Sequence, residues 1–179
     1  AEQQPTVTVM HSNAVVNASN YDVTYVAVNG TGAELGANGL PLEAGTYTVS
    51  VVGKAGTSYQ GFTGSAVFVI EPVELGSFTI SGDYTYDGNA KLATVSVKDK
   101  DGNILVEGTD YELVYDNNIN AGNAAVTVVG KGSYSGTLTG SFVINKAEIR
   151  IVPDANQSKV YGDYDKALNY RSDNSAVLL

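Results

Sequence analysis

The chain contains no cysteine and no tryptophan, and among its 179 residues there is one histidine, His11, and one methionine. The missing cysteine excludes disulfides, a thiolate nucleophile, an internal thioester and Cys-ligated zinc. One histidine cannot build a multi-histidine metal centre, and no Gly-x-Ser-x-Gly elbow offers a serine nucleophile for it to serve. Positive charge is scarce, with 10 Lys and Arg against 19 Asp and Glu and a net charge of -9. A polyanion needs a basic face that releases counterions, so nucleic acid is not an expected partner. No run of 18 apolar residues occurs, which leaves no segment for an apolar membrane-spanning helix.

Glycine and tyrosine are abundant, at 20 and 12 residues, and apolar types make up 43% of the chain. That apolar share is ordinary for a folded protein and too high for a disordered one. Short runs rich in Val, Thr, Tyr and Ile are separated by Gly, Asn and Asp, which predicts an all-β fold.

One phrase occurs twice. "VVGKAGTSYQGFTGSAVFVI" spans Val51 to Ile70, and "VVGKGSYSGTLTGSFVI" spans Val128 to Ile144. Upstream, Thr6–Val9 corresponds to Thr94–Val97, and Tyr21 and Tyr25 correspond to Tyr111 and Tyr115. Further on, Ala44-Gly45 matches Ala121-Gly122, Gly53-Lys54 matches Gly130-Lys131, and Ser58-Tyr59 matches Ser133-Tyr134. The spacing is 90 residues at Tyr21/Tyr111 and 75 at Ser58/Ser133, because the first copy carries an insertion at Gly30–Glu43. A period of ~75 residues suits a small β domain better than a solenoid unit. The reading is therefore of tandem small antiparallel β-sandwich modules: residues 1–72 as a first repeat without its opening strand, 73–147 as a second, and 148–179 as the start of a third. The ends leave two accounts open. The chain is a piece of a longer array, or its tail pairs with the exposed edge of another molecule's first copy.

The segments "YDGNAKL", "EGTDYELVYDNNINAGNAAVTVVGKGSYSGTLTGSFVINKA" and "SKVYGDYDKAL" resemble the MBG domains of large bacterial surface proteins, in their Tyr-Asp-Gly and Tyr-Gly-X variants. The stretch Asp110 to Gly122 carries the most specific part of the likeness, and "MHSNAV" in the first copy departs from it. The resemblance implies Ig-like modules in tandem arrays on adhesins and cell-wall-attached proteins, extracellular and without catalysis. No family active site exists to carry over.

Within the second copy, Asp101-Gly102 predicts a two-residue hairpin turn, and the glycines of "VVGKGSYSG" are expected to release one strand and begin the next. Tyr111, Tyr115 and Tyr134 are expected to cover a sheet face with their hydroxyls left at a wet edge. The run "DKDGNILVEG" has Asp99, Asp101 and Gly102 in the order of a calcium loop, but Val97 and Gly108 occupy its two strongest ligand positions, so a plain hairpin is the better reading. No bound cofactor is expected. A structural calcium ion at a junction between modules, drawing on Glu71, Glu74, Asp83 or Glu148, is the cation site the composition permits. Gly130-Lys131-Gly132 lacks the spacing and the following helix of a phosphate loop. Lys54, Lys131 and Asn145 are the residue types of a Lys–Asn cross-link, without a motif to support one. His11 is expected in an exposed loop.

Two functional readings follow. The first is a non-catalytic surface repeat acting as stalk, spacer or adhesive array, whose partners are its neighbouring repeats and surface proteins. The alternative is a module binding a host or bacterial glycan or mucin, with Tyr84, Tyr164 and Tyr170 as the exposed rings and the loop 30–43 as the element specific to one copy.

Overall fold

Alternating β-branched and small residues turn nearly every segment between the glycine turns into a strand. The computed structural model describes residues 3–172 and is 48% strand and 2% helix, so the all-β expectation holds. A hairpin of β1 (Met10–His11) and β2 (Ala14–Val15) leads through a 3₁₀ turn at Ala18–Asn20 into β3 (Tyr21–Ala27), β4 (Gly45–Gly53) and β5 (Thr63–Ile70). There follow β6 (Val73–Ser81), β7 (Tyr84–Thr85), β8 (Thr94–Asp99), β9 (Tyr111–Asp116), β10 (Gly122–Gly130), β11 (Tyr134–Ser135) and β12 (Thr137–Asn145). The tail adds β13 (Ile151–Pro153) and β14 (Tyr170–Ser172). Residues 173–179 of the expected third repeat lie outside the described residues.

The strands form sheets in the order β3-β4-β5, β7-β12-β10-β9 and β11-β6-β8, with two-stranded pairs β1-β2 and β13-β14. β3, β4 and β5 pair antiparallel, with Tyr21 opposite Gly53 and Tyr47 opposite Phe68. Two short pairings are parallel: β7 beside β12, with Tyr84 opposite Ile144, and β11 beside β6, with Tyr134 opposite Val73.

By spatial contact the chain divides into two units. One holds the described residues up to Ser77 with Val97–Glu112 and Val129–Thr137; the other holds Phe78–Ser96, Leu113–Val128 and the described residues from Leu138 onward. Residues of the expected second repeat contribute to both. In the first unit Val9, Val16, Tyr21 and Val51 form a buried cluster, extended by Val7, Val23 and Tyr59. In the second, Ala93, Ala124, Val126, Phe142 and Ile144 are buried under Phe78, Ile80, Tyr84, Leu113 and Tyr115. β10 shows why it is central: Ala124, Val126 and Val128 alternate inward and are fully covered, as the period-2 geometry of a strand requires.

The repeated phrases occupy corresponding places. β4 and β10 are both nine residues long and both run from glycine to glycine. The Lys54 amide donates to the Asn20 carbonyl at 2.9 Å and the Lys131 amide to the Asp110 carbonyl at 2.9 Å. The lysine side chains recur too, Lys54 to Asp22 at 3.4 Å and Lys131 to Glu112 at 2.8 Å. The glycines before them are needed for close approach. A Cβ on Gly53 would lie 1.8 Å from the Tyr59 carbonyl oxygen, and one on Gly130 would lie 2.9 Å from the backbone of Ser135.

The turns differ from expectation in one respect. Asp101-Gly102 does not form a two-residue hairpin. Gly102 N–H donates to the Asp99 carbonyl at 3.1 Å and Asp99 N–H to the Asn103 carbonyl at 3.1 Å, with Gly102 at φ 89°, so three residues make the loop. This is the type I turn closed by a left-handed glycine. Its cause is the buried Asp99 carboxylate, whose Oδ1 accepts from the amides of Asp101 and Asn103 at 2.9 Å each. The two-residue turn occurs instead in the first copy, where Ser12 (φ 49°) and Asn13 (φ 65°) connect β1 to β2.

Candidate functional site

The insertion Gly30–Glu43 folds as a small closed structure. Leu35 bridges to Pro41, Leu42 N–H donates to the Glu34 carbonyl at 2.8 Å, and Gly36 and Leu40 bond across the tip at 2.8 Å. Tyr47 on β4 holds its base. Its side chain is fully buried, and its hydroxyl lies 2.6 Å from the Glu43 carbonyl and 2.8 Å from the Glu34 carbonyl while accepting from Glu34 N–H at 3.1 Å. The loop's last residue then reaches the second copy's glycine phrase within the first unit. Ser133 Oγ donates to Glu43 Oε2 at 2.6 Å and accepts from the Ala44 amide at 3.2 Å. Gly132 lies under this contact, since a Cβ there would sit 2.8 Å from the same carboxylate oxygen. Beside it is a hollow of 290 Å³ lined by Gly32, Thr46, Ile70, Glu71, Gly132 and Tyr134, among others. Neither Tyr47 nor the Glu43–Ser133 pair stood out in the sequence. Tyr47 falls where the second copy has Ala124, and that size difference beside an insertion was the available signal.

The three tyrosines named as ligand-binding candidates are placed differently from one another. Tyr84 is no exposed ring. It packs edge-on against Phe142 with centroids 5.1 Å apart, and its hydroxyl donates toward the Ser81 carbonyl at 3.0 Å and accepts from the Thr94 amide at 3.2 Å. A tyrosine that begins a covering strand is drawn inward by the apolar ring below it, which the spacing alone did not reveal. Tyr164 and Tyr170 are exposed at 96% and 68%. Neither lines the cleft of 630 Å³ in the tail, which is formed by Asn156, Gln157, Lys159, Asp165, Lys166 and Asn169, among others. Much of that lining is already bonded within the tail. Gln157 donates to the Asn169 carbonyl at 2.8 Å and accepts from the Asn169 amide at 2.6 Å, and Lys159 pairs with Asp165 at 2.5 Å. Tyr115 also differs from its expected role, since its hydroxyl is not left in water but donates to the Ala93 carbonyl at 3.0 Å.

Two of the acids proposed for calcium have other partners. Glu74 pairs with Lys100, and Asp83 accepts from Asn145 Nδ2 at 3.0 Å. Among the described residues no group of three His, Asp or Glu side chains is arranged to hold a metal ion. Asp99 faces donors on both oxygens, Asn103 Nδ2 donating to Oδ2 at 2.9 Å. Its carboxyl is held below the usual aspartate range first by that Asn103 side chain and then by the turn amides, against the opposing effect of burial. Burial, aided by Glu107 and Asp110, pushes the Tyr111 phenol up; burial with Asp110, Asp99 and Glu43 does the same for Tyr134. Both rings therefore stay neutral at physiological pH.

The cross-link residues are committed elsewhere: Lys54 and Lys131 to carboxylates on exposed surface, Asn145 to Asp83. A Lys–Asn bond needs a buried lysine, and half-exposed ammonium groups do not meet that need. His11 is exposed on β1, its ring 6.0 Å from that of Tyr59 and edge-on to it. No helix among the described residues is long and apolar enough to cross a membrane. No protein-family model matches the chain, and no curated protein matches it significantly.

Proposed function

We propose that the chain is a non-catalytic segment of a bacterial surface repeat array, serving as stalk or spacer. The observation that carries this reading is what the repeated residues do. Tyr25 stands edge-on to Phe68 at 6.1 Å and its hydroxyl lies 3.5 Å from the Pro5 carbonyl; Tyr115 stands edge-on to Phe142 at 6.4 Å and bonds the Ala93 carbonyl. Together with the Gly-Lys phrase, these residues hold each sheet in shape, and an array draws its function from such neighbour-by-neighbour construction. Selection for a spacer acts on module integrity, and integrity is what the repetition preserves.

A glycan and mucin binding screen of the whole chain tests it, run once with calcium and once with chelator. A spacer gives no saturable binding in either buffer. The adhesive alternative is favoured by the exposure of Tyr164 and Tyr170, since a tyrosine ring stacks on the apolar face of a sugar. It requires saturable binding that Tyr164→Ala or Tyr170→Ala abolishes.

A further inference from the structure

The sequence holds the dipeptide Asn-Gly at two places, Asn29-Gly30 where the insertion begins and Asn38-Gly39 near its tip. In such a pair the main chain readily attacks its own side chain, because no Cβ on the second residue obstructs the approach of its amide nitrogen to the carboxamide carbon. The two pairs are alike in most respects. All four residues are exposed, Gly30 and Gly39 have φ of 79° and 76°, and a Cβ on either glycine would meet nothing within 4 Å.

They differ in what their polar groups do. Asn38 Oδ1 accepts from the Leu40 amide at 3.0 Å, and the Gly39 amide donates to the Gly36 carbonyl at 2.9 Å. Both reacting groups of that pair are therefore tied to a third residue. Among the described residues nothing forms a hydrogen bond with the Asn29 side chain or the Gly30 amide. The turn around them is fastened only at its ends, where Thr31 Oγ1 donates to the Val28 carbonyl at 2.7 Å and accepts from the Thr46 amide at 3.1 Å.

We propose that Asn29 is a site of spontaneous deamidation, with water as the co-reactant, and that its hydrogen bonds protect Asn38 from the same reaction. The Gly30 amide nitrogen gives its proton to solvent and bonds to Asn29 Cγ. The Cγ–Nδ2 bond breaks, and the departing nitrogen takes a proton back and leaves as ammonia. Water then opens the resulting succinimide ring. Cleaving the ring nitrogen from Cγ gives aspartate, and cleaving it from the main-chain carbonyl carbon of residue 29 gives isoaspartate. Either product places a carboxylate at the foot of the insertion, in a chain whose net charge is already -9. Isoaspartate also routes the main chain through Cβ and so lengthens the turn that Thr31 spans. The reaction is independent of whether the chain is a spacer or an adhesin.

Ageing the full chain in warm, mildly alkaline buffer and digesting it with a protease that cuts after glutamate separates the two pairs, since Glu34 lies between them. Mass spectrometry of the peptides is expected to show an acid replacing the amide at Asn29 about tenfold faster than at Asn38, where two hydrogen bonds must first open. Aged in urea, the two pairs convert at similar rates. Isoelectric focusing of the folded chain shows a leading acidic satellite that grows with time, and Asn29→Gln, whose longer side chain closes a less favoured ring, removes it. No conversion at Asn29, or equal rates at the two pairs in the folded chain, overturns the proposal. A rate ratio that is the same in urea overturns it as well, since neighbouring sequence rather than the fold would then decide. Persistence of the leading satellite in Asn29→Gln does so too.

Discussion

The hydroxyl of Tyr115 donates to the carbonyl of Ala93 at 3.0 Å across the second sheet, and 90 residues earlier the hydroxyl of Tyr25 points at the carbonyl of Pro5 at 3.5 Å. The two contacts join corresponding residues of the two copies, and the first is the tighter. Tyr115→Phe removes the donor and leaves a part-buried carbonyl without it, a loss of about 1–3 kcal/mol. Tyr25→Phe costs under about 1 kcal/mol, because a 3.5 Å contact is at the limit of a hydrogen bond. Urea unfolding of the two variants compares them; equal losses would contradict the assignment.

The Gly-Lys phrase divides into a part that matters and a part that does not. Gly130→Ala forces the Tyr134–Ser135 backbone away and costs about 1–3 kcal/mol by overpacking. Lys131→Met removes a solvent-exposed ion pair with Glu112 and costs at most about 1 kcal/mol. The same order of effects is expected at Gly53 and Lys54. Denaturant midpoints measured at high salt shrink the lysine effect further and leave the glycine effect unchanged.

Acid sensitivity is expected to centre on Asp99. Its folded-state carboxyl is held below the ordinary value of 3.8, so it contributes stability that is fully present above that value and is lost as pH falls through the folded one. Asp99→Asn keeps an acceptor but turns an amide toward the Asn103 amide. The variant is expected to melt several degrees lower at neutral pH, with the gap closing as pH falls below 3.8. A gap that is constant with pH would show that the carboxylate charge is irrelevant. Glu74 is also held low, by Lys100, but at an exposed pair that solvent screens.

Tyr47→Phe tests the insertion. Losing the hydroxyl frees the Glu34 amide and two carbonyls, costs about 1–3 kcal/mol, and raises amide hydrogen exchange in residues 34–43. Ser133→Ala leaves that exchange largely unchanged around Glu34 and raises it at Ala44, whose amide bonds Ser133 Oγ.

Much of this architecture was legible in the residues. Val-Thr-Tyr alternation between glycines could only be strands, and the matched positions Tyr21/Tyr111 and Gly53/Gly130 open and close corresponding strands. Tyr84 was not legible, because an exposed and an inward tyrosine at a strand start have the same spacing, and the choice depends on Phe142, 58 residues away. The Asp101-Gly102 turn departs from expectation for a related reason: the dipeptide favours a two-residue loop, and the side chain of Asp99 claims the amides that such a loop would use elsewhere.

Local periodicity, and glycines without room for a Cβ, made the all-β class and several strand ends readable from the residues alone. Which apolar faces are covered emerges from the fold. Phe68 and Phe142 sit in the same phrase, and one is half-buried while the other is enclosed. Burial is a property of what another segment brings to the strand, and Phe78, Ile80 and Tyr84 come to β12 while none of the described residues come likewise to β5.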